Sequence, residues 1–310
     1  APQPNLVAYY TFNHGIANGS NIAINSLLDQ SGNNRSGLLN NFALTGTSSN
    51  WVNSGAIPAT GMYRTVASGN WINPAIWETQ VGNCWIPATQ FPNFSKQSIE
   101  IQSGHTVTID SSIIVDQTII RSGATVVIGI AGFFEVKNGI GTDLIVEGTL
   151  QIANGSLTQN LGAVTDVVDG GVLTFNQGSI AGSGTLNING GTFNLTGTNS
   201  KNFTGTTTIN NTGNINWTSS AGNITFSGGN ITLVNNGIFT ISNSSQLFNN
   251  GNPSSTFQIQ NAGTFSQNGS GTSTLGDGVT LTNSNQIQLN TGAIAFNNST
   301  LISINCTASR

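Results

Sequence analysis

Two aspartates, Asp166 and Asp169, stand close together in Val164-Thr-Asp-Val-Val-Asp-Gly170. Paired carboxylates can divide the work of general acid and base, or hold a divalent cation through their oxygens. Polysaccharide hydrolysis and elimination need such a pair, or acids holding a cation beside a basic residue. Past residue 150, however, the only other charged side chains are Lys201, Asp277 and Arg310, and no histidine occurs. A turn is therefore the simpler reading of Asp166 and Asp169, because Asp favours turns by hydrogen-bonding the nearby backbone. His105 follows Gly104 at the head of a strand-like run, and His14 is equally solitary. Neither has a nucleophile or a second ligand close in sequence. Cys84 and Cys306 form neither a metal-ligand spacing nor a disulfide framework. Nucleophile-elbow, P-loop and dinucleotide fingerprints are absent. The expectation is no catalytic residue, no metal ligand, no cofactor and no enzyme.

Further charges lie upstream: Glu78, Lys96, Glu100, Asp110, Asp116, Arg121, Glu135, Lys137, Asp143 and Glu147. Several alternate with apolar residues, as in Phe133-Phe-Glu-Val-Lys137, which points them to solvent from strands. Charged residues make up only 6% of the chain, against roughly 25% in an ordinary soluble domain. Gly, Asn, Ser and Thr take their place. A net charge of −4 without any Lys/Arg run argues against nucleic acid and anionic membranes, which need clustered cations. No stretch approaches the ~20 apolar residues of a membrane span. The start, Ala1-Pro2-Gln3-Pro4, reads as a terminus left by signal cleavage or as the boundary of an excised piece.

The elements that carry these residues are short. From about residue 100, runs such as Gly184-Thr-Leu-Asn-Ile188, Gly191-Thr-Phe-Asn-Leu195, Gly213-Asn-Ile-Asn-Trp217 and Gly237-Ile-Phe-Thr-Ile241 recur. Apolar residues alternate in them with Thr, Asn or Gln, the period of a strand with one dry face. Asn211-Thr-Gly213, Asn235-Asn-Gly237, Asn261-Ala-Gly263 and Asn283-Ser-Asn285 mark a longer repeat. Its period is about 22–26 residues, within the range of stacked repeat units. About three strands fit each period, for example 213–217, 222–226 and 229–234. A unit this small cannot bury its apolar face alone, so stacked units coil the chain. The fold expected is all-β, a right-handed parallel β-helix with three strands and about 22–26 residues per coil. Inward Ile, Leu, Val and Phe form columns, and outward Thr and Asn form ladders. An antiparallel sandwich shows hairpin turns at shorter spacing and gives no reason for the longer period. Eight or so coils at about 4.8 Å each make a rod of roughly 40 Å.

The first third reads differently. Leu6-Val-Ala-Tyr-Tyr-Thr-Phe-Asn13, Asp29-Gln-Ser-Gly-Asn-Asn34 and Leu38-Leu-Asn-Asn-Phe-Ala-Leu44 form strand, polar loop and strand. The stretch Leu6–Trp51 resembles the edge of a laminin-G-like (concanavalin-type) module of large secreted Bacteroidota proteins. Ser68-Gly-Asn-Trp71, Trp77, Pro87, Ser98-Ile-Glu-Ile101 and Gly104-His-Thr-Val-Thr-Ile109 look like the opening of a multi-glycine extracellular domain. That resemblance implies a β-helix, type IX secretion and a cell-surface role. Residues 1–66 then form a partial laminin-G-like β cap, 67–110 a Trp-rich start of the solenoid, and 111–310 the β-helix proper. Trp71, Trp77, Trp85, Phe91 and Phe94 supply apolar area to seal the first coil.

The function expected is that of a secreted, surface-attached adhesin stalk, or a filament or ring subunit. Its partners are its own copies, further domains of a longer chain, or cell-surface glycans. Cys84 in the cap and Cys306 in the last strand stand too far apart on a rod for an internal disulfide; head-to-tail contact between chains is the arrangement that could bring them together. A carbohydrate-binding module, using Trp51 or Tyr10, is the alternative. A polysaccharide lyase or hydrolase using Asp166 or Asp169 comes next, and an ice-binding Thr array last.

Overall fold

A computed structural model describes residues 6–11, 14–16, 19–46, 49–51, 61–81, 84–96, 98–218, 222–249 and 254–303. The chain divides into two compact units, Ala1–Pro58 and Ala59–Arg310.

The second unit is a parallel β-helix. Its strands follow one another around three sheets, so each pairs with its equivalents one coil away. The first coil consists of Ser98–Ile101, Thr106–Ile109 and Ser112–Val115. The last complete one among the described residues consists of Val279–Asn283, Gln286–Leu289 and Ala293–Phe296, followed by Thr300–Ser303. Down the first sheet, one inward column runs Ile99, Thr118, Leu144, Thr165, Leu186, Ile209, Leu233, Ile259, Leu281 and Leu301. The coil from Ile99 to Thr118 is shorter than the one from Thr118 to Leu144, and shorter than the expected period. Coil length varies because corners absorb insertions and deletions while strand register is kept.

The period-2 pattern explains the core. Leu150, Leu173, Phe193 and Ile215 of the second sheet stack inward, with Gln151, Thr174, Asn194 and Asn216 outward. Backbone passes so close to backbone at some corners that only glycine fits. Gly182 has φ +102°, and an added Cβ there would collide with the Gln159 carbonyl oxygen.

The amides do not all face outward as expected. The marker residues Asn211, Asn235, Asn261 and Asn283 are buried. They continue the inward column that begins Ile101, Ile120, Val146, Val167, Ile188. Each amide donates to the next: Asn211 Nδ2 to Asn235 Oδ1 at 2.7 Å, Asn235 to Asn261 at 2.6 Å, and Asn261 to Asn283 at 2.6 Å. The same Nδ2 groups donate across the corner to the carbonyls of Ile238, Thr264 and Gln286. Burial is tolerated because the amides are hydrogen-bonded.

At its N-terminal end the solenoid is closed. Met62–Thr65 extends the first sheet in parallel, and Trp77–Val81 and Cys84–Pro87 continue it antiparallel. Gly69–Asn70 covers the second sheet, and Phe94 N donates to the Ile114 carbonyl on the third at 2.8 Å. Trp71 and Trp77 plug the interior, with ring centroids 5.0 Å apart. Trp77 Nε1 donates to the Trp71 carbonyl and Trp71 Nε1 to that of Pro92. Phe91 and Phe94, expected in the plug, are instead exposed, and Trp85 lies under the Arg64 guanidinium.

The first unit has one antiparallel pair among its described residues, Ser26–Leu27 with Gly37–Leu38. Its cohesion is largely polar: buried Asn21 bonds to Ile16 N, Ile16 O and Asn50 Oδ1. Val7, Ile22 and Leu38 remain exposed.

Candidate functional site

Asp166 projects outward from the first sheet, in a row with Asn187 and Asn210. Its carboxylate accepts Asn187 Nδ2 at 2.6 Å and Thr142 Oγ1 at 3.3 Å, and Asn210 Nδ2 extends the chain to Asn187 Oδ1. Asp169 occupies the corner that follows, where Gly171 N donates to the Val168 carbonyl. The two acids therefore sit on a ladder and in a turn, respectively.

Two other acids come together that sequence spacing did not pair. Asp143, expected at the surface, is fully buried. Its oxygens accept Gly139 N and Val164 N, each at 2.7 Å, which fixes the corner between two coils. Asp116 lies beside it, one coil earlier. Partial burial, and then the hydrogen bond and charge of the Asp143 carboxyl, raise the Asp116 carboxyl above its ordinary value. Here one member is sealed from substrate with both oxygens engaged by backbone, so the pair serves the corner. The sequence signal was present only as a separation of one coil between positions 116 and 143.

A charged strip crosses the closed end. Arg64 pairs in register with both Glu78 and Glu100, contacts Glu78 Oε2 at 3.0 Å and stacks 4.1 Å from the Trp85 ring. Arg121 bridges Glu100 and Glu147, and its bond to Glu100 raises its affinity for the proton. Such partly exposed pairs contribute little each. Glu135 accepts Asn160 Nδ2, and Lys137 lies 4.9 Å over the Phe94 ring.

His105 Nδ1 meets Thr65 Oγ1 at 2.8 Å, tying the closing segment to the first coil. In the first unit, His14 Nε2 bonds the Ser26 carbonyl and its ring packs edge-on to Trp51 at 5.2 Å. Tyr10 hydroxyl donates to the Arg35 carbonyl, while Tyr9 is exposed. Cys84 is exposed and free on the outermost strand; Cys306 lies outside the described residues. Among the described residues no three His, Cys, Asp or Glu side chains converge to hold a metal ion, and no helix is long and apolar enough to cross a membrane. Lys201, noticed in the sequence only as a scarce charge, is fully buried in the third sheet. Its Nζ donates to the carbonyls of Asn199 at 2.8 Å and Gly197 at 3.2 Å.

No protein-family model matches the chain, and comparison with curated proteins and with solved structures finds no match.

Proposed function

We propose that this chain is a non-enzymatic extracellular structural protein, a stiff surface stalk that mediates attachment. The observation that carries the reading is the unbroken parallel ladder through three sheets, locked internally by the Asn211–Asn283 amides. Continuous backbone pairing of this kind resists local opening and proteolysis, the properties a spacer needs. The engagement of Asp166 and Asp143 in structural hydrogen bonds supports the non-enzymatic part. The resemblance of Ser68–Ile109 to surface proteins supports secretion, of the type IX kind, and display at a cell surface. Partners on this reading are copies of the chain, further domains and cell-surface glycans, without nucleic acid, membrane insertion or cofactor.

The test has two arms. Beads coated with the chain should attach to cells or host surfaces, and the soluble chain should compete. The same material, incubated with a polysaccharide panel, should release no reducing or unsaturated ends. Product release abolished by Asp166→Asn or Asp169→Asn overturns the reading in favour of an enzyme.

A carbohydrate-binding first unit is a second reading. It is favoured by exposed Tyr9 next to Tyr10, with Trp51 held on His14, since aromatic faces stack on sugars. Glycan-array binding lost on Trp51→Ala or Tyr10→Ala is the result expected of it.

A further inference from the structure

Asparagine is chemically labile, and most so before glycine, which has no Cβ to hinder ring closure. The glycine nitrogen attacks the Asn side-chain carbonyl carbon. An N–C bond forms, the bond to the side-chain nitrogen breaks, and ammonia leaves with the proton that the glycine nitrogen gives up. Water then opens the succinimide at either carbonyl, leaving aspartate, or isoaspartate with the main chain routed through the side-chain carbon. Closure in a folded chain needs a glycine N–H without an acceptor, an amide free to turn onto it, and room around the glycine.

Among the described residues, Asn-Gly pairs stand at 138–139, 154–155, 189–190, 236–237 and 268–269. All but one are restrained. Gly139 N donates to Asp143 Oδ1 at 2.7 Å, and Gly237 N to the Asn211 carbonyl at 2.9 Å. Asn268 Oδ1 accepts Asn290 Nδ2 at 2.7 Å. Gly155 is wedged between coils: the carbonyl oxygens of Gly129 and Gly132 lie 2.5 Å from where its Cβ would stand. Asn189 and Gly190 are both exposed. The Asn189 main-chain N–H is anchored on the Val167 carbonyl at 2.8 Å, while its side-chain amide and the Gly190 N–H bond to nothing among the described residues. Around Gly190 the nearest atom to a Cβ would be Asp169 Cβ, at 3.5 Å, an ordinary contact.

We infer that Asn189 is a self-modification site, which closes on Gly190 and opens in water to aspartate and isoaspartate without an enzyme. The new carboxylate arises beside exposed Asp169 of the preceding coil, so two like charges face each other where the encoded chain has one. Isoaspartate also lengthens the main chain at the corner between Thr185–Ile188 and Thr192–Leu195. A long-lived chain therefore loosens first at this corner. The inference stands apart from the attachment role, since it concerns the chemistry of one corner.

The whole chain is aged in mildly alkaline buffer, native and urea-unfolded in parallel, and its peptides are analysed by mass spectrometry and isoaspartate-specific methylation. In the native sample Asn189 should convert roughly tenfold faster than Asn138, Asn154, Asn236 or Asn268, because a restraining hydrogen bond adds to the barrier elsewhere. In urea the five should convert at similar rates. Asn189→Gln should abolish the native product and leave the circular dichroism spectrum unchanged. An unmodified Asn189 in native chain, when the unfolded chain converts at all five, overturns the proposal. So does a native order led by any other of the five.

Discussion

Lys201 shows how one residue can run against a mostly apolar interior. Burial, without a carboxylate beside it among the described residues, lowers its amine to about 8 from an ordinary 10.5. A lysine depressed in the folded state binds its proton more weakly there than in the unfolded chain. Stability should therefore rise with pH between about 8 and 10.5, and be lower by roughly 3 kcal/mol below that window. Lys201→Met keeps the volume and removes the charge. Denaturant melts should show it more stable than the native chain at pH 7, with the difference vanishing near pH 10.5. Asp29 has the opposite sign. Its carboxylate accepts Tyr9 N, Arg35 N and Ser31 N, and these bonds hold it well below the usual carboxylate range. The loop it organises should stay ordered as pH falls past about 4 and open only in stronger acid. Amide NMR shifts of Tyr9, Ser31 and Arg35 are the probe; midpoints at an ordinary Asp value would sink the assignment.

At the scale of the element, the amide column replaces an aliphatic one after Ile188. Each amide is followed by a two-residue corner, Thr212-Gly213, Asn236-Gly237, Ala262-Gly263 and Ser284-Asn285, of the form that Glu147-Gly148 also takes after Val146. Each amide faces the first carbonyl of a second-sheet strand one coil further on, Ile238, Thr264 or Gln286, to which an aliphatic side chain would offer nothing. Asn supplies the donor and its other atoms satisfy the neighbouring coils. Asn235→Leu should therefore cost about 3 kcal/mol, because it leaves Asn261 Oδ1 and the Thr264 carbonyl in the core without the donor they share. Chemical denaturation measures it. A cost no larger than that of Ile→Leu in the upstream column would show that the ladder adds nothing beyond packing.

Across the whole solenoid, each coil touches mainly its neighbours, so stability is a sum along one dimension and the ends matter most. Trp71 and Trp77 protect the first coil from water, and Trp71 also reaches Phe134 of the next, at 5.6 Å between ring centroids. Trp71→Ala should cost roughly 3–5 kcal/mol. The loss should be local: hydrogen exchange should accelerate in 98–115 first and leave the Asn211–Asn283 coils protected. Uniform acceleration throughout would mean that the solenoid melts as one cooperative block.

The sequence by itself determined the alternation, the three-strand period and so the parallel coil. Strands expected at 213–217, 222–226 and 229–234 form as Asn214–Trp217, Ile224–Ser227 and Asn230–Asn235. Those features are local: a period of two dictates a strand, and a dry face too small to stand alone dictates stacking. Orientation at strand ends was not local. Asn235 reads as a surface residue because its partners, Asn211 and Asn261, lie a full coil away on either side. Asp143 was misplaced for the same reason, and the burial of Lys201 was not legible, since the backbone groups that satisfy them are set by the turns of coils. The sealed first coil was likewise decided by tertiary structure, because a side chain is covered only by what stacks on it in the next coil.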